Sequence, residues 1–481
     1  MSEAAGVSLS RETLGGAVAQ FAMAAIGFAG TILFARWLGP TEFGGVYLLY
    51  GVVKLADRPM NGWSLAAKKR LSESDALRSP AFGAQLVFDA GWVVVAVVVA
   101  LLAGDALVSY TGLAAAPLLF VALLATESTY ESVDSLVQGR GRVSAATWID
   151  ALRSLLTLPL QIAFVAAVGA AGMVYGLATA SLLVLPVVGY FVAARPALPS
   201  RSFARSLADY ARYSVPSTAL GTAYDRLDVL LLGALLAPAA AGYYEVAWKL
   251  TLPAVFVADV AGRGLMAKVS GRAADGNGVG RDVSNTVAYA GVLAFPILFG
   301  TLALARPLVV TVYGPEYAEA TLLLVGLAGY RVIRTQSGPL MQAVNGLDRP
   351  DVGMKLSAAA LAVNVALGVV LTLRFGPIGV VAATVVAEAV RYAGCVAFLR
   401  STVERFDPVS RPVGIQVGAS VVMYGVVSAA HGALGVRSWV DLLALVSLGG
   451  VVYVGLLVAL SPGFRHTLGT ALEGSFADPR P

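Results

Sequence analysis

Cysteine occurs once in this 481-residue sequence, at Cys395, and histidine twice, at His431 and His466. A single cysteine cannot build a disulfide framework or a thiolate metal cluster. Two histidines near one end leave little scope for imidazole metal or base chemistry, and no cofactor is expected. Charge is also scarce: Asp, Glu, Lys and Arg make up 13% of the residues, against about a quarter in ordinary soluble domains. No G-x-x-x-x-G-K-[ST] stretch is present, which removes the phosphate cradle of P-loop ATP hydrolysis. The N-terminus lacks a basic segment followed by a short apolar core and a small-residue cleavage site, so the first hydrophobic segment is expected to be kept as a span. What the chain has in quantity is hydrocarbon, with 58% of residues hydrophobic. That balance points to an integral membrane protein.

A bilayer core of about 30 Å takes roughly 20 apolar residues of helix. Fourteen segments meet this: 14–37, 43–66, 81–103, 113–137, 144–168, 171–194, 211–236, 240–265, 284–305, 318–344, 352–373, 377–399, 412–431 and 439–460. The expected fold is therefore all-α and polytopic, with about 14 transmembrane helices. With a cytoplasmic N-terminus, 22 of the 34 Lys and Arg residues fall on the inner side and 4 (Arg36, Arg306, Arg374, Arg437) on the outer. This is the positive-inside pattern, and it puts both termini in the cytoplasm. It also accounts for the net charge of +5 and for the basic loop KKRLSESDALR without a nucleic-acid partner.

Two parts of the chain resemble each other. VGAAGMVYGLATASLL (168–183) aligns with FGPIGVVAATVVAEAV (375–390), and VQGRGRV (137–143) with VNGLDRP (344–350), both at an offset of 207. Upstream, WLGPTEFG (37–44) matches LLAPAAAG (235–242) at an offset of 198. The expected organisation is an N-terminal six-helix bundle (1–194), a cytoplasmic linker (195–210), a second six-helix bundle (211–399), and two further helices with a tail (400–481). Six is even, so both copies start on the same side, related by an axis along the membrane normal.

Eight Lys and Arg residues lie within the spans, and ionised groups in hydrocarbon need a partner, a water-filled space or a function. Lys54, Asp57 and Arg58 sit together in span 2. Glu127, Glu131 and Asp134 recur at i, i+4 and i+7 down one face of span 4. Asp150 and Arg153 lie in span 5, Asp225, Arg226 and Asp228 in span 7, and Glu245, Lys249 and Asp259 in span 8. Arg331 and Arg334 lie in span 10, Glu388 and Arg391 in span 12, and Asp89 alone in span 3. The simplest arrangement turns spans 2, 4, 5, 7, 8, 10 and 12 toward a shared polar cavity. Lys54, Arg58, Arg226, Lys249, Arg331 and Arg334 are the candidate contacts for an anionic substrate. Glu127, Glu131 and Asp225 are the candidates for a coupling cation. Asp150–Arg153, Glu245–Lys249 and Glu388–Arg391 are equally well spaced for intrahelical ion pairs. Arg331 and Arg334 have no acid within four positions, so their partner is a carboxylate from another span or an anionic substrate.

Three stretches carry a family likeness: FARWLGPTEFGGVYLL at the first loop, DRLDVLLLGALLAPAAAGYYEVAWKL across spans 7 and 8, and VYGPEYAEATLLL entering span 10. With them the chain resembles the polysaccharide transporter (Wzx-like, oligosaccharide flippase) family of the multidrug/oligosaccharidyl-lipid/polysaccharide superfamily. The residues that match position by position are Arg36, Leu38, Gly39, Pro40, Gly44 and Asp225; the outer end of span 7 departs from the pattern in running into APAAAG. The resemblance implies two six-helix bundles working by alternating access in the cell membrane on a lipid-linked oligosaccharide, for surface polysaccharide or glycoprotein glycan export. It implies a transporter rather than an enzyme, with membrane lipids, Na+ or H+, and glycosyltransferases of the same pathway as partners. A lipid II-type flippase is a close variant. The alternatives are a cation-coupled multidrug or metabolite antiporter of the same superfamily, which would favour acidic cavity residues, and a membrane oligosaccharide polymerase, which would need a large outer loop.

Overall fold

The structure, a computed structural model, describes residues 3–275, 278–408 and 410–465, with side chains from Met23 onward except at Ala274. His466, Arg480 and the expected cytoplasmic tail lie outside the described residues. Among the described residues all regular structure is helical. In chain order the helices are α1 (Glu3–Ala56), α2 (Arg58–Glu73), α3 (Arg78–Leu102), α4 (Gly104–Thr111), α5 (Ala116–Leu123) and α6 (Thr129–Gly139). They continue with α7 (Val143–Val168), α8 (Ala171–Val192), α9 (Arg201–Leu235), α10 (Pro238–Thr251), α11 (Phe256–Ala274) and α12 (Gly280–Ala290). The last six are α13 (Ala294–Tyr313), α14 (Ala320–Gly346), α15 (Pro350–Phe375), α16 (Pro377–Thr402), α17 (Arg411–Leu434) and α18 (Trp439–Leu460).

A helix runs through each of the fourteen segments expected from the sequence. Among the described residues, ten helical stretches are long and apolar enough to cross a membrane, or eleven when α4 and the stretch Ala116–Gly139, bent by 98°, count as one. One of the ten, Met23–Ala56, is interrupted at Gly39 (φ 74, ψ 172), where the LGP loop separates the first two expected spans. Helix α2, at 16 residues, is too short to cross by itself, and the charges described above leave α9 and α14 too polar to count among these stretches. Large apolar side chains stand exposed along α3 (Val94 63%, Leu102 83%) and α18 (Val451 72%). An exposed apolar surface of this extent belongs in lipid.

The chain divides into two compact units, with the boundary between Gly242 and Tyr243. The core of the first unit gathers Leu71, Phe82, Leu136, Ile149, Val188 and Leu207 from α2, α3, α6, α7, α8 and α9. Helix α9 is tied in by two bonds to backbone: Ser214 Oγ donates to the Gly62 carbonyl (2.7 Å) and Tyr110 Oη to the Leu230 carbonyl (2.9 Å). Asp89 is buried and satisfied, accepting from Gln85 Nε2 (2.8 Å) and Ser132 Oγ (2.6 Å). In the second unit, Leu265, Val287, Leu340, Val344 and Leu399 form one core, and Leu304, Met423, Leu445 and Tyr453 join α13 to α17 and α18.

The 207-residue offset reappears in the backbone. Helices α7 and α8 turn at Gly169 (φ 65, ψ −144), and α15 and α16 turn at Gly376 (φ 67, ψ −148). Three residues on, a Cβ at Gly172 would lie 2.2 Å from the Phe164 carbonyl carbon, and one at Gly379 would lie 2.2 Å from the Leu371 oxygen. Each hairpin thus uses one glycine for a backbone conformation that side chains avoid and a second for close helix contact.

Candidate functional site

The charged side chains of the spans gather into two clusters, one in each unit. In the first unit, α1 ends by presenting Lys54, and Asp57 and Arg58 follow at the start of α2. Lys54 Nζ donates to Glu131 of α6 and lies 3.6 Å from Asp57 Oδ2. Arg58 Nε donates to Asp57 Oδ1 (2.7 Å), and Ser128 Oγ reaches Asp57 Oδ2 (3.3 Å). Between α5 and α6 the helix widens into a π-turn over Leu124–Ser128, which carries Glu127. Such bulges recur at functional positions in helices. Glu127 Oε2 accepts from Arg153 Nη1 of α7 (2.7 Å) and from Ser181 Oγ of α8 (2.6 Å). Arg153 also holds Asp150 (2.8 Å) and stacks 4.6 Å from the centre of the Tyr130 ring. Three cations therefore face four carboxylates. Glu127 and Glu131 of the acidic stripe of span 4 thus find partners on other helices, whereas Asp134 accepts from Gln138 of its own helix (2.8 Å).

The second unit has the opposite balance. Lys249 and Glu245 of α10 pair at 3.4 Å. Glu388 of α16 is fully buried and serves Arg391 (2.5 Å), Arg334 (3.9 Å) and Ser337 Oγ together. Arg331 of α14 has no carboxylate within ion-pair distance among the described residues. Its guanidinium lies 3.7 Å from the centre of the Trp248 ring, 5.5 Å from that of Tyr330, and Nε donates to Thr251 Oγ1 (3.2 Å). It is 4% exposed, and Nη2 is buried without an acceptor. Among the described residues, four cations (Lys249, Arg331, Arg334, Arg391) face Glu245 and Glu388, at ion-pair distance from all but Arg331, and Asp259, at longer range from Arg331. Buried arginines are nearly always matched by acceptors, so an open donor such as Arg331 Nη2 is unusual.

The sequence-level candidates thus separate. Lys54, Arg58, Glu127 and Glu131 come together in the first unit, and Lys249, Arg331 and Arg334 lie in the second. Asp225 is exposed on α9 and Arg226 is half-buried. Neither forms an ion pair among the described residues, so they stand apart from both clusters. The candidate set left out Asp57, Asp150 and Arg153 of the first cluster and Glu388 and Arg391 of the second, although i,i+3 spacing marked two of these pairs. It also missed Trp248, for which no spacing rule singles out an arginine partner.

The repeat connects the clusters. Glu127 and Arg334 are 207 residues apart, and so are their partners Ser181 and Glu388. At these positions the first unit holds a carboxylate against a serine and the second a guanidinium against a carboxylate.

Comparison with known proteins places this architecture. The chain is 27% identical over 455 residues to a protein named probable flippase AglR of Haloferax volcanii, covering 92% of this chain and 94% of that one. It is 25% identical over 466 residues to the probable low-salt glycan biosynthesis flippase Agl15 of the same organism, covering 95% and 97%. The lipid II flippase MurJ in an inward closed conformation superposes with a TM-score of 0.79 over 95% of this chain and 100% of that one, at 12% identity. An inward-facing multidrug resistance MATE family transporter superposes with a TM-score of 0.59 over 79% and 96%, at 18% identity. At such identities the two structures speak for the fold alone. Residues 33–322 match the model of the family described as polysaccharide biosynthesis protein. As that match spans more than half of the sequence, the chain belongs to the polysaccharide biosynthesis protein family.

Proposed function

We propose that this multi-pass membrane protein is a flippase that moves a lipid-linked glycan across the cytoplasmic membrane by alternating access, with both termini in the cytoplasm. The observation that carries this reading is Arg331, a buried guanidinium with an unfilled donor in a cluster where cations outnumber carboxylates. The phosphate or diphosphate joining a glycan to its polyprenyl carrier supplies what that cluster lacks: acceptor oxygens with negative charge, suited to charge-assisted bonds from arginine. Arg331 would contact the phosphate, with Arg334 and Lys249 completing the site. The name of the relative Agl15 of Haloferax volcanii, a probable low-salt glycan biosynthesis flippase, agrees with a glycan cargo. The hydrocarbon tail needs apolar shelter, and a cavity of about 510 Å³ lined by Leu304, Leu308, Met423, Leu445 and Tyr453 lies among α13, α17 and α18.

The first-unit cluster has a different role in this reading. Lys54 and Arg58 already hold carboxylates, which leaves them weaker phosphate contacts than Arg331. Glu127 and Glu131 would take part in coupling to Na+ or H+ by exchanging a basic partner for the cation, with Asp225 on α9 a separate candidate. Glycosyltransferases of the same pathway would supply the substrate. A multidrug antiporter is the second reading, since the first-unit cluster holds more carboxylates than cations. A cationic drug would need an excess of carboxylate, whereas the second unit holds an excess of guanidinium and ammonium.

The test is the double substitution Arg331→Ala and Arg334→Ala in vesicles loaded with lipid-linked glycan. Translocation should be abolished at near-normal protein abundance. Full transport by the double variant would remove these arginines from the site, and export of cationic drugs by the unaltered protein would favour the antiporter.

A further inference from the structure

A second cavity, of about 710 Å³, opens in the first unit where the end of α2, the 3-10 turn Asp75–Leu77 and the end of α6 meet Tyr210 of α9. Its charged wall residues are Lys68, Lys69, Glu73, Asp75 and Arg140. Both carboxylates are already engaged, Glu73 with Arg70 (3.0 Å) and Asp75 with Arg78. No carboxylate among the described residues pairs with the other three cations. Lys68 Nζ donates to the Gln138 amide oxygen (2.9 Å), and Lys69 Nζ lies 4.8 Å over the Tyr210 ring. Arg140 Nη1 donates to the Phe191 carbonyl (2.7 Å), while its Nε is buried and has no acceptor. Burial, and then the neighbouring Arg142 and Arg78, push the Arg140 guanidinium below its ordinary range. The floor is firm, because a Cβ on Gly139 would meet the Lys68 carbonyl oxygen at 3.0 Å.

We infer that this pocket binds the phosphate of an anionic membrane-lipid headgroup. Two lysines and an arginine without carboxylate partners among the described residues line one void, where an anionic oxygen would accept charge-assisted bonds. The wall also includes Leu65, an apolar side chain 39% exposed. A lipid would cover it, whereas a free phosphate would gain nothing from it. The loop KKRLSESDALR belongs to the basic side of the chain, where headgroups of anionic lipids attract Lys and Arg. The inference does not depend on the transport reading, since headgroup retention is measured directly.

The test uses the purified full-length protein in detergent, titrated with dioleoyl phosphatidylglycerol and, in parallel, with dioleoyl phosphatidylcholine and inorganic phosphate, with adducts counted by native mass spectrometry. Phosphatidylglycerol should bind in preference to phosphatidylcholine. Each cation removed near an anionic lipid weakens binding roughly fivefold, so Lys69→Gln should lose about that factor and Lys69→Gln with Arg140→Gln about thirtyfold. Lys69 is exposed, so the single variant reads the charge without disturbing the fold. Unchanged phosphatidylglycerol binding in both variants would overturn the inference. So would full displacement of the lipid by an equal concentration of inorganic phosphate, which would make the pocket a site for the free ion.

Discussion

Arg331 offers a direct way to separate a binding residue from a structural one. Burying an unpaired guanidinium costs several kcal/mol even after the surroundings relax. Against this, a desolvated stack on tryptophan contributes about 2 kcal/mol, and the charged bond from Nε to Thr251 Oγ1 about 1.5–3 kcal/mol. The opposing effects are of similar size, so the side chain adds little to folding. Arg331→Met keeps an unbranched stem against Trp248 and removes the charge. Its thermal midpoint in detergent should stay at or above that of the unaltered protein, while translocation of lipid-linked glycan in vesicles is lost. Arg331→Lys keeps the charge but not the planar fork and should retain only part of the activity. Wild-type translocation by Arg331→Met would refute the assignment. A large drop in its midpoint would show instead that the guanidinium holds the second unit together.

Glu388 should behave in the opposite way. Glu388→Ala leaves the buried Arg391 and the nearby Arg334 without their shared carboxylate, and a loss of about 3–5 kcal/mol is expected in the same thermal assay. Gly44→Ala should fail to yield folded protein, because its Cβ would lie 1.9 Å from the Pro238 carbonyl oxygen. Gly27→Ala, with nothing within 4 Å, should unfold no earlier than the parent. Gly169→Ala and Gly376→Ala, at matching turns, should each cost about 1–3 kcal/mol and should add in the double variant.

The helices were legible because hydrocarbon thickness sets a length and the chain obeys it. The break at Gly39 was legible because LGP interrupts the apolar run. Pairs within one helix, such as Glu245–Lys249 and Asp150–Arg153, followed from the rise of the helix. Pairs between helices did not. Nothing local to Glu127 points to Arg153, and nothing near Glu131 points to Lys54, because helix rotation and packing decide those contacts. For the same reason the sequence could not tell Lys54, which is paired, from Arg331, which lacks a carboxylate. Helix α4, read as a connection, and the π-turn at Glu127 arise from tertiary packing and leave no periodic trace.

The exchange of Glu127 for Arg334 at one shared coordinate has a consequence for how such a protein can change its cargo. On the proposed reading, one unit keeps this position for pairing within the protein, Glu127 with Arg153, and the other uses it to carry the recognition charge. Reversing the preferred sign of the transported group would then require altering a few side chains around Glu388 on one copy, with the hairpins, their glycines and the opposite copy left as they are.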